Sequence, residues 1–296
     1  MSRVLILSDE RMGHLNQSLA FVKYVDAVYD VRPVKFRYKW YKALSYILDK
    51  IGIYTNMLFD LQLDKKYDMV VGTGSTTSYA TKVFAKKMHA RSVTMMLPQG
   101  YRYDFDIIFA QSHDNPPSKE NIIKIPANFS YVEPKGIYQA QKKSIGIVIG
   151  GDNKLFTLSK EKLQEQLDFI KRYYEGYEVA ITTSPRTSEE IELLVASYEF
   201  DYEVIFSKNP INPIPDFLEL CETVFITGDS TSMISEAISY GKSNVIVLPL
   251  ERKEENKFTR FIDTLEKEGY LHIFNGNIKN KNNKIDFKAY LKEVNA

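Results

Sequence analysis

The stretch that decides the fold is VFITGDSTSMISEA, residues 224–237. It opens with the apolar residues of a buried strand, passes through small polar residues, and ends in a pattern typical of a helix. Strand candidates followed by helix candidates recur along both halves of the chain. Short apolar strands that alternate with helices indicate parallel βαβ units, so the sequence predicts an α/β fold.

The same patterns place the individual elements. Predicted strands occupy residues 3–7, 29–35, 69–71, 91–96, 107–110, 144–149, 178–182, 203–206, 224–227 and 244–248. Predicted helices follow a loop at 8–16 and occupy 39–63, with a break at Gly52, then 78–87, 160–174, 189–197, 214–221, 232–240 and 258–268. Residues 275–284 are rich in Asn and Lys and predict a solvated loop before a short amphipathic tail.

Two domains are expected, because a single core rarely grows beyond about 250–300 residues and the chain has 296. Residues 1–135 predict one Rossmann-like domain and residues 143–296 a second. A linker is predicted at about 130–142. Two such domains are expected to face each other across a cleft between the carboxyl ends of both sheets. Ligands of open α/β sheets bind at the carboxyl ends of the strands, so the cleft is the expected ligand site.

Composition excludes several classes of protein. Hydrophobic residues make up 44% and charged residues 26%, which is typical of a folded globular chain. No apolar run approaches the roughly 18 residues of a membrane span, and the single cysteine, Cys221, excludes an internal disulfide and a cysteine-based zinc site. These features predict a cytoplasmic protein.

The net charge of +1 is the sum of a basic first half and an acidic second half of the chain. Residues 1–140 carry 19 Lys and Arg against 13 Asp and Glu, whereas residues 141–296 carry 20 against 25. The excess is concentrated at residues 31–50, where basic residues alternate with Phe, Tyr and Trp and only Asp49 opposes them. This composition fits an anionic membrane face or an anionic glycolipid. An ordinary charged helix face or a nucleic-acid surface would have the same composition.

In the first half, the candidate catalytic and substrate-binding residues follow two predicted strands. His14, next to Gly13, lies where a histidine can take a proton from an attacking hydroxyl; its alternative role is to stabilise the loop. Asn16 and Gln17 can bond a substrate or the loop backbone. A second turn, with Gly74 and Ser75, opens a helix and can present backbone N–H groups to an anion or polar substrate. The dinucleotide fingerprint lacks its third glycine there, which disfavours NAD.

Candidate anion-binding residues in the second half also follow strands. Gly150 and Gly151 allow close backbone approach to a phosphate, or form a simple turn. Arg186 can hold a phosphate bidentately, or lie free on the surface. The turn after residue 227 and the helix N-terminus suit a diphosphate, and a carboxylate further along the helix can accept two ribose hydroxyls. The remaining candidates for this site are Thr183, Gly228, Asp229, Ser230, Thr231, Ser232 and Glu236.

Three further patterns are weaker evidence of function. Residues 241–243 resemble the end of a P-loop, but its first glycine is missing. Asp104 and Asp106 resemble a metal-binding pair of sugar transferases, yet they directly precede a strand and are interpreted as solvated strand-edge residues. The other histidines have no ligand spacing, so neither a metal nor a cofactor is predicted.

These motifs together resemble a family of bacterial glycosyltransferase-like proteins that also includes the plant elongated-mitochondria protein of mitochondrial fission. The resemblance rests on residues 13–18, Gly150-Gly151, 182–187, Asn212-Pro213 and 228–237. More distantly, His14, the glycine pair and Glu236 are similar in placement to residues of the peptidoglycan transferase that adds N-acetylglucosamine to a lipid carrier. The resemblance implies a GT-B fold, a nucleotide-sugar donor in the second domain, and His14 as base. The first domain is then expected to bind the acceptor, with Gly13, Asn16, Gln17, Gly74 and Ser75 as the contact residues. Asp229 departs from the pattern, where that transferase has glycine, and is expected to bind a sugar hydroxyl or cap the helix.

The sequence therefore predicts a metal-independent glycosyltransferase that transfers a sugar from a nucleotide-sugar to an anionic lipid or glycan acceptor. Lipopolysaccharide core or a cell-surface polysaccharide would fit, with peripheral contact at the inner face of the membrane and no nucleic-acid partner. Two alternatives remain: a non-catalytic adaptor on a GT-B scaffold, and a nucleotide-sugar epimerase.

Overall fold

The computed structural model describes residues 1–252, 257–278, 281–292 and 294, except the side chain of Arg252. The chain divides into two compact units. The first unit comprises Met1–Tyr131 together with Asp286–Ala296, and the second comprises Val132–Ile285. No helix in the described ranges is long and apolar enough to cross a membrane.

The first unit is built on a six-stranded parallel sheet in the order β2-β1-β3-β4-β5-β6. Leu5, Leu7 and Val70 of its central strands are buried beneath the aromatic residues Tyr79 and Phe84 of the third helix. The elements are β1 (Arg3–Ser8), α1 (Met12–Tyr24), β2 (Val28–Pro33), α2 (Tyr41–Lys50), β3 (Met69–Gly72), α3 (Ser75–Met88), β4 (Arg91–Thr94), β5 (Ile107–Gln111) and β6 (Ile122–Ile125), with 3-10 turns at Asn56–Leu58, Ser112–Asp114 and Phe287–Leu291.

The second unit repeats this architecture. Its parallel sheet has the order β10-β9-β7-β11-β12-β14, and a two-stranded antiparallel sheet joins β8 to β13. The elements are β7 (Ser144–Val148), β8 (Phe156–Thr157), α4 (Lys160–Tyr173), β9 (Glu178–Thr182), α5 (Glu189–Ala196), β10 (Tyr202–Val204), α6 (Ile214–Leu220), β11 (Thr223–Thr227), α7 (Thr231–Ser239), β12 (Asn244–Leu248), β13 (Glu251–Arg252), α8 (Lys257–Lys267) and β14 (His272–Ile273). The predicted α/β class is confirmed.

Both sheets reverse their strand order at one position. The reversal lies between β1 and β3 in the first unit and between β7 and β11 in the second. Connections on the two sides of such a point run to opposite faces of the sheet and leave a crevice at the carboxyl ends of the strands. The turns that follow β3, β7 and β11 contain Gly74, Gly150 and residues 228–230, and His14 lies in the first turn of α1, which follows β1. Each unit therefore carries candidate residues at its own crevice.

Several predicted elements are wrong in extent. Helix α1 already begins at Met12, so the predicted loop at 8–16 ends five residues early. The helix predicted over 39–63 shrinks to Tyr41–Lys50, because Gly52 takes a left-handed φ of +75° and ends it. The short strands β6, β8, β13 and β14 are not predicted. Within the predicted loop at 275–284, residues 279–280 lie outside the described part of the chain.

The C-terminal segment belongs to the first unit, whereas the sequence assigns it to the second domain. Phe287 and Leu291 are buried there, and the ring of Phe287 stacks on Phe129 with centroids 4.5 Å apart. Burial of large apolar side chains is the reason, since each contributes roughly 1.5–3 kcal/mol when fully removed from water.

Residues 135–138, inside the predicted linker, are fixed to the second unit by Asp216. Its carboxylate accepts hydrogen bonds from the backbone N–H groups of all four residues, at 2.7–3.1 Å. Burial alone would raise the pKa of Asp216, but the four donors outweigh it and hold the pKa below its ordinary value. This segment is therefore an ordered part of the second unit.

Replacing this carboxylate should destabilise the protein in a pH-dependent way. Asp216→Asn is expected to lower the free energy of unfolding by about 2–3 kcal/mol near pH 7, because an amide cannot accept four N–H bonds. A carboxyl with a lowered pKa stabilises the fold above its unfolded pKa and loses this effect as pH falls through the folded value. The difference between wild type and variant should therefore shrink below about pH 4.

Denaturant titrations at pH 7 and pH 3.5 measure this difference. Asp201→Asn is the matched control, because Asp201 accepts one backbone N–H, from Val179 at 2.9 Å. Equal losses for the two variants would show that the four-donor arrangement is not stabilising.

Candidate functional site

Three polar turns meet at the carboxyl edge of the second unit's sheet. Strands β9, β7 and β11 are neighbours, and the turns after them begin at Thr183, Ile149 and Gly228. Parallel strands end at the same edge, so residues far apart in the chain come together there. The structure thus brings together Gly150, Gly151, Arg186 and the 228–232 segment, as their positions after the strands predict.

The centre of this cluster is the Asp229 carboxylate, whose side chain is fully buried. It accepts hydrogen bonds from Thr227 Oγ1 at 2.7 Å, from Arg186 at 2.5 Å and from the Gly151 N–H at 3.3 Å. Burial raises the pKa of Asp229, and the Thr227 hydroxyl and Arg186 oppose that rise without cancelling it. The end of β11 and the turns after β9 and β7 therefore each contribute a donor to one carboxylate.

The role expected for Asp229 is wrong on both alternatives. Its side chain points into the turn cluster, where no sugar hydroxyl can reach it, and the cap of α7 is Ser230, whose hydroxyl accepts from the Met233 N–H at 3.4 Å. The buried acid instead fixes Arg186, which keeps 42% of its side chain exposed. Asp229 is a positioning residue for that guanidinium.

The glycine pair is required by the packing of the turns. A Cβ on Gly150 would lie 2.0 Å from Asp229 Oδ1, and one on Gly151 would lie 2.0 Å from the Arg186 carbonyl oxygen. The Gly150 N–H donates to Thr227 Oγ1 at 2.7 Å, so neither glycine amide is free for the phosphate that the sequence assigns to it. Both donors are therefore used inside the protein.

Thr183 and Gly228 are also internal. The Thr183 hydroxyl donates to Glu192 at 3.2 Å and accepts from the Phe206 N–H at 2.8 Å, and the residue is buried. The Gly228 N–H donates to the Leu248 carbonyl at 3.1 Å. The polar groups of these two residues already have partners within the protein, so the residues hold the turns together. Their predicted contact with a nucleotide-sugar stays a prediction.

The N-terminus of α7 is the part of this edge that can receive an anion. Thr231 and Ser232 are partly exposed at its first turn, where helical N–H groups have no partner within the helix. The helix dipole adds partial positive charge at this position. The exposed part of Arg186 belongs to the same turn cluster.

Glu236 lies one turn beyond Ser232 and therefore on the same face of α7. It is partly buried, has no hydrogen-bond or ionic partner among the described residues, and its pKa is raised to about 7 by burial alone. An unpaired carboxyl with a strongly shifted pKa next to a helix N-terminus makes Glu236 a candidate binding residue.

In the first unit, His14 is oriented by an acid. Its Nδ1 lies 2.9 Å from Asp9 Oδ2, and the Asp9 side chain is only 4% exposed while that of His14 is 22% exposed. Asp9 thus holds the ring with Nε2 free to take a proton. The sequence interpretation missed Asp9, although an acid five residues before a histidine, after a buried strand, was a usable signal.

Gly74 provides the space for this histidine. It has a φ of +85°, and a Cβ there would lie 2.5 Å from Cε1 of the His14 ring. Gly13 and Asn16 are exposed on α1, whereas Gln17 is buried and its amide bonds to the Gly13 carbonyl and to Gln111. Of the two roles open to Gln17, the structure supports the internal one.

Ser75 opens α3 and accepts from Lys42 Nζ at 3.3 Å, so it lies near the candidate base but already has a partner. Its predicted acceptor contact stays a prediction.

Asp104 and Asp106 are exposed just before β5, as the sequence predicts, and their carboxylates also have partners within the first unit. Asp104 binds Lys82 and accepts from Tyr54 at 2.5 Å, while Lys82 Nζ also contacts the buried Asp49 at 2.7 Å. Asp106 accepts from the N–H and the hydroxyl of Ser92, both at 2.7 Å. Both carboxylates are occupied within the first unit, and the described residues contain no cluster of three potential metal ligands.

The sequence profile of the family described as mitochondrial fission ELM1 matches residues 12–291. The chain belongs to this family. Another protein similar to this ELM1-family chain is the uncharacterized protein RP120 of Rickettsia prowazekii (strain Madrid E), which is 22% identical over 324 residues. That alignment covers 93% of this chain and 91% of RP120.

Two solved structures show the fold of the ELM1-family chain. MurG of Acinetobacter baumannii matches with a TM-score of 0.50 at 11% identity, covering 93% of this chain and 86% of that one. The calicheamicin glycosyltransferase CalG4 matches with a TM-score of 0.50 at 10% identity, covering 93% and 85%. The expected GT-B fold of two Rossmann-like domains is confirmed.

The close approach at Gly150 leads to a stability prediction. Gly150→Ala should lower the free energy of unfolding by roughly 3 kcal/mol or more, because its Cβ would collide with a fully buried carboxylate. Gly176→Ala is the control: Gly176 has a φ of +85° and open space around its Cβ position, so it should lose only about 1 kcal/mol. Thermal and urea unfolding of both variants test this, and equal losses would contradict the steric role.

Proposed function

We propose that this ELM1-family protein is a glycosyltransferase whose second unit binds a nucleotide-sugar and whose first unit binds the acceptor. The observation that carries the proposal is Glu236, an unpaired carboxyl with a pKa of about 7 behind the open N-terminus of α7. Ribose hydroxyls are suitable donors for such a carboxylate, and a diphosphate is a suitable ligand for the helix N-terminus.

The structure alters how the donor is proposed to bind. The amides of Gly150 and Gly151 are occupied, so the diphosphate contacts Ser230, Thr231 and Ser232 at the start of α7 and the exposed edge of Arg186. Negative charge that develops on the leaving diphosphate is stabilised by the helix dipole and the guanidinium. The proposal requires no metal ion or cofactor, so chelators should leave turnover unchanged.

The acceptor hydroxyl reacts with the help of the first unit. His14 Nε2 takes the proton of that hydroxyl while its oxygen forms a bond to the anomeric carbon. The bond from this carbon to the diphosphate oxygen breaks, and the diphosphate leaves with the electron pair. Asp9 stabilises the imidazolium that forms. The acceptor is a glycan or a lipid-linked sugar, such as a lipopolysaccharide core or a cell-surface polysaccharide.

The base assignment predicts a separation of turnover from donor binding. His14→Ala should reduce turnover by roughly 10²–10⁴-fold, and Asp9→Asn should also cause a large loss because it no longer holds the reactive tautomer. Nucleotide-sugar affinity, measured by calorimetry, should remain at the wild-type level in both. His89→Asn, at an exposed left-handed position, is the control and should keep full turnover.

Full turnover by His14→Ala would overturn the base assignment. No binding of any nucleotide or nucleotide-sugar from a broad panel would overturn the transferase proposal in favour of an adaptor. Isomerised nucleotide-sugar formed without an acceptor would overturn it in favour of an epimerase.

The pKa of Glu236 predicts how donor affinity depends on pH. Only the ionised carboxyl accepts two ribose hydroxyls, so affinity should rise as pH increases towards 7 and level off above it. Well below pH 7 the rise approaches tenfold per pH unit, and one proton is released on binding. A nucleotide-sugar is the suitable probe, because the terminal phosphate of a nucleoside diphosphate itself titrates near pH 6.

Calorimetry in buffers of different ionisation enthalpy measures both the affinity and the proton. Glu236→Gln should bind more weakly at pH 8 and show no pH dependence between 5.5 and 8.5. Glu219→Gln, at an exposed position of α6, should behave as wild type. A wild-type pH profile in Glu236→Gln would refute the assignment of this residue.

A further inference from the structure

Helix α2 has its polar side inward. Ser45 and Asp49, four residues apart, are both fully buried. The Ser45 hydroxyl lies 2.9 Å from the Tyr101 hydroxyl, and Asp49 bonds Lys82 Nζ and the Arg102 N–H, each at 2.7 Å. The most deeply buried side chains of α2 are therefore polar, and Leu44 and Leu48 pack against the core beside them.

The outer side of α2 is apolar. Trp40, Ile47 and Ile51 are spaced by seven and four residues, which places them on one stripe opposite Ser45 and Asp49. Their exposed fractions are 62%, 59% and 62%. Aromatic and aliphatic side chains of this size gain free energy on leaving water, so a row of three on the solvent side requires an explanation.

The neighbouring turn extends this surface. Phe36 and Phe59 form an antiparallel bridge, and the Arg37 N–H donates to the Leu58 carbonyl at 2.9 Å. Tyr38 and Met57 stand two residues beyond this bridge on either side, and both are exposed. We call the surface formed by Trp40, Ile47, Ile51, Tyr38 and Met57 the α2 apolar surface.

Basic residues border the α2 apolar surface. Lys39 and Lys50 are exposed and have no ionic partner among the residues that the structure describes, and Arg37 is exposed as well. Between residues 31 and 59 the only acidic residue is Asp49, and Lys82 neutralises it inside the fold. The border therefore has uncompensated positive charge.

We propose that the α2 apolar surface docks on an anionic phospholipid bilayer. Trp40, Ile47 and Ile51 enter the boundary between headgroups and acyl chains, α2 lies in the plane of the interface, and Lys39 and Lys50 contact anionic headgroups. The inference deepens the proposed function, because it would bring the acceptor-binding unit to a lipid-linked acceptor. It is tested by binding alone and can fail independently of transfer.

Charge and side-chain type together favour a bilayer over another protein. An interfacial helix presents apolar residues on one side with Lys and Arg at its border, and tryptophan is preferred at the lipid–water boundary. A second copy of the chain would place two positively charged borders against each other, which opposes dimerisation through this surface.

Trp40 is the only tryptophan of the chain and therefore reports this surface alone. The full-length protein is titrated with vesicles of 70% phosphatidylcholine and 30% phosphatidylglycerol, and with pure phosphatidylcholine vesicles. We expect a blue shift of the emission maximum and quenching by brominated acyl chains with the anionic vesicles. Binding should weaken as the salt concentration rises.

Variants separate the two contributions, with vesicle co-sedimentation as the measurement. Ile47→Ser combined with Ile51→Ser should lower the partition coefficient by at least about tenfold. Each of Lys39→Gln and Lys50→Gln should lower it by about fivefold on anionic vesicles. Leu193→Ser, an equally exposed leucine on α5, is the matched control and should bind as wild type.

Three results would overturn the proposal. The first is no blue shift with anionic vesicles, and the second is binding unchanged in the double serine variant. The third is a blue shift that grows with protein concentration in the absence of vesicles, which would identify the surface as a contact between copies. Loss of turnover in His14→Ala with intact vesicle binding would leave the docking surface supported, so failures of the two proposals can be told apart.

Discussion

The buried carboxylate of Asp229 is the interaction on which the candidate donor site depends. A carboxylate removed from water is stable only when donors replace its hydration, and here a hydroxyl, a guanidinium and a backbone amide do so. These donors come from two turns and the end of a strand, which are distant in sequence. The glycine pair, the threonine that ends β11 and the orientation of Arg186 all serve to hold this one buried carboxylate at the edge of the sheet.

The first unit uses the same principle for a different purpose. Lys82 of α3 is almost fully buried between Asp49 of α2 and Asp104 of the turn before β5. A buried ion pair adds little net stability compared with a packed apolar core, but it fixes a geometry, because breaking it leaves an unpaired charge. Here the fixed geometry is the roll of α2 about its axis, which turns Ser45 and Asp49 inward and Trp40, Ile47 and Ile51 outward.

The sequence predicts the fold better than the site. The long central strands, such as 178–182 and 244–248, are recovered because buried parallel strands are continuous apolar runs. Strands of two residues, such as His272–Ile273, are too short to show a periodic pattern. The strand Ile122–Ile125 is missed because the prolines on either side of it indicate a loop.

Candidate site residues are located correctly by the turns that follow strands, since topology alone brings those turns together. Their roles are less accessible, because a sequence does not show whether Asp229 points towards a ligand or into the protein. Asp9 illustrates the converse: its pairing with His14 depends on α1 beginning at Met12, two residues earlier than the histidine.

The return of the chain to the first unit has a consequence for biogenesis. Phe129 packs against Phe287, so the first unit is completed only after an intervening stretch, residues 132–285, which forms the second unit. A ribosome emits the N-terminal strands long before residue 287. The second unit can therefore close while the first still has an exposed aromatic surface. In a newly made chain, this aromatic surface of the first unit therefore stays exposed while residues 132–286 are synthesised. During that time it can bind chaperones or pack against the wrong partner.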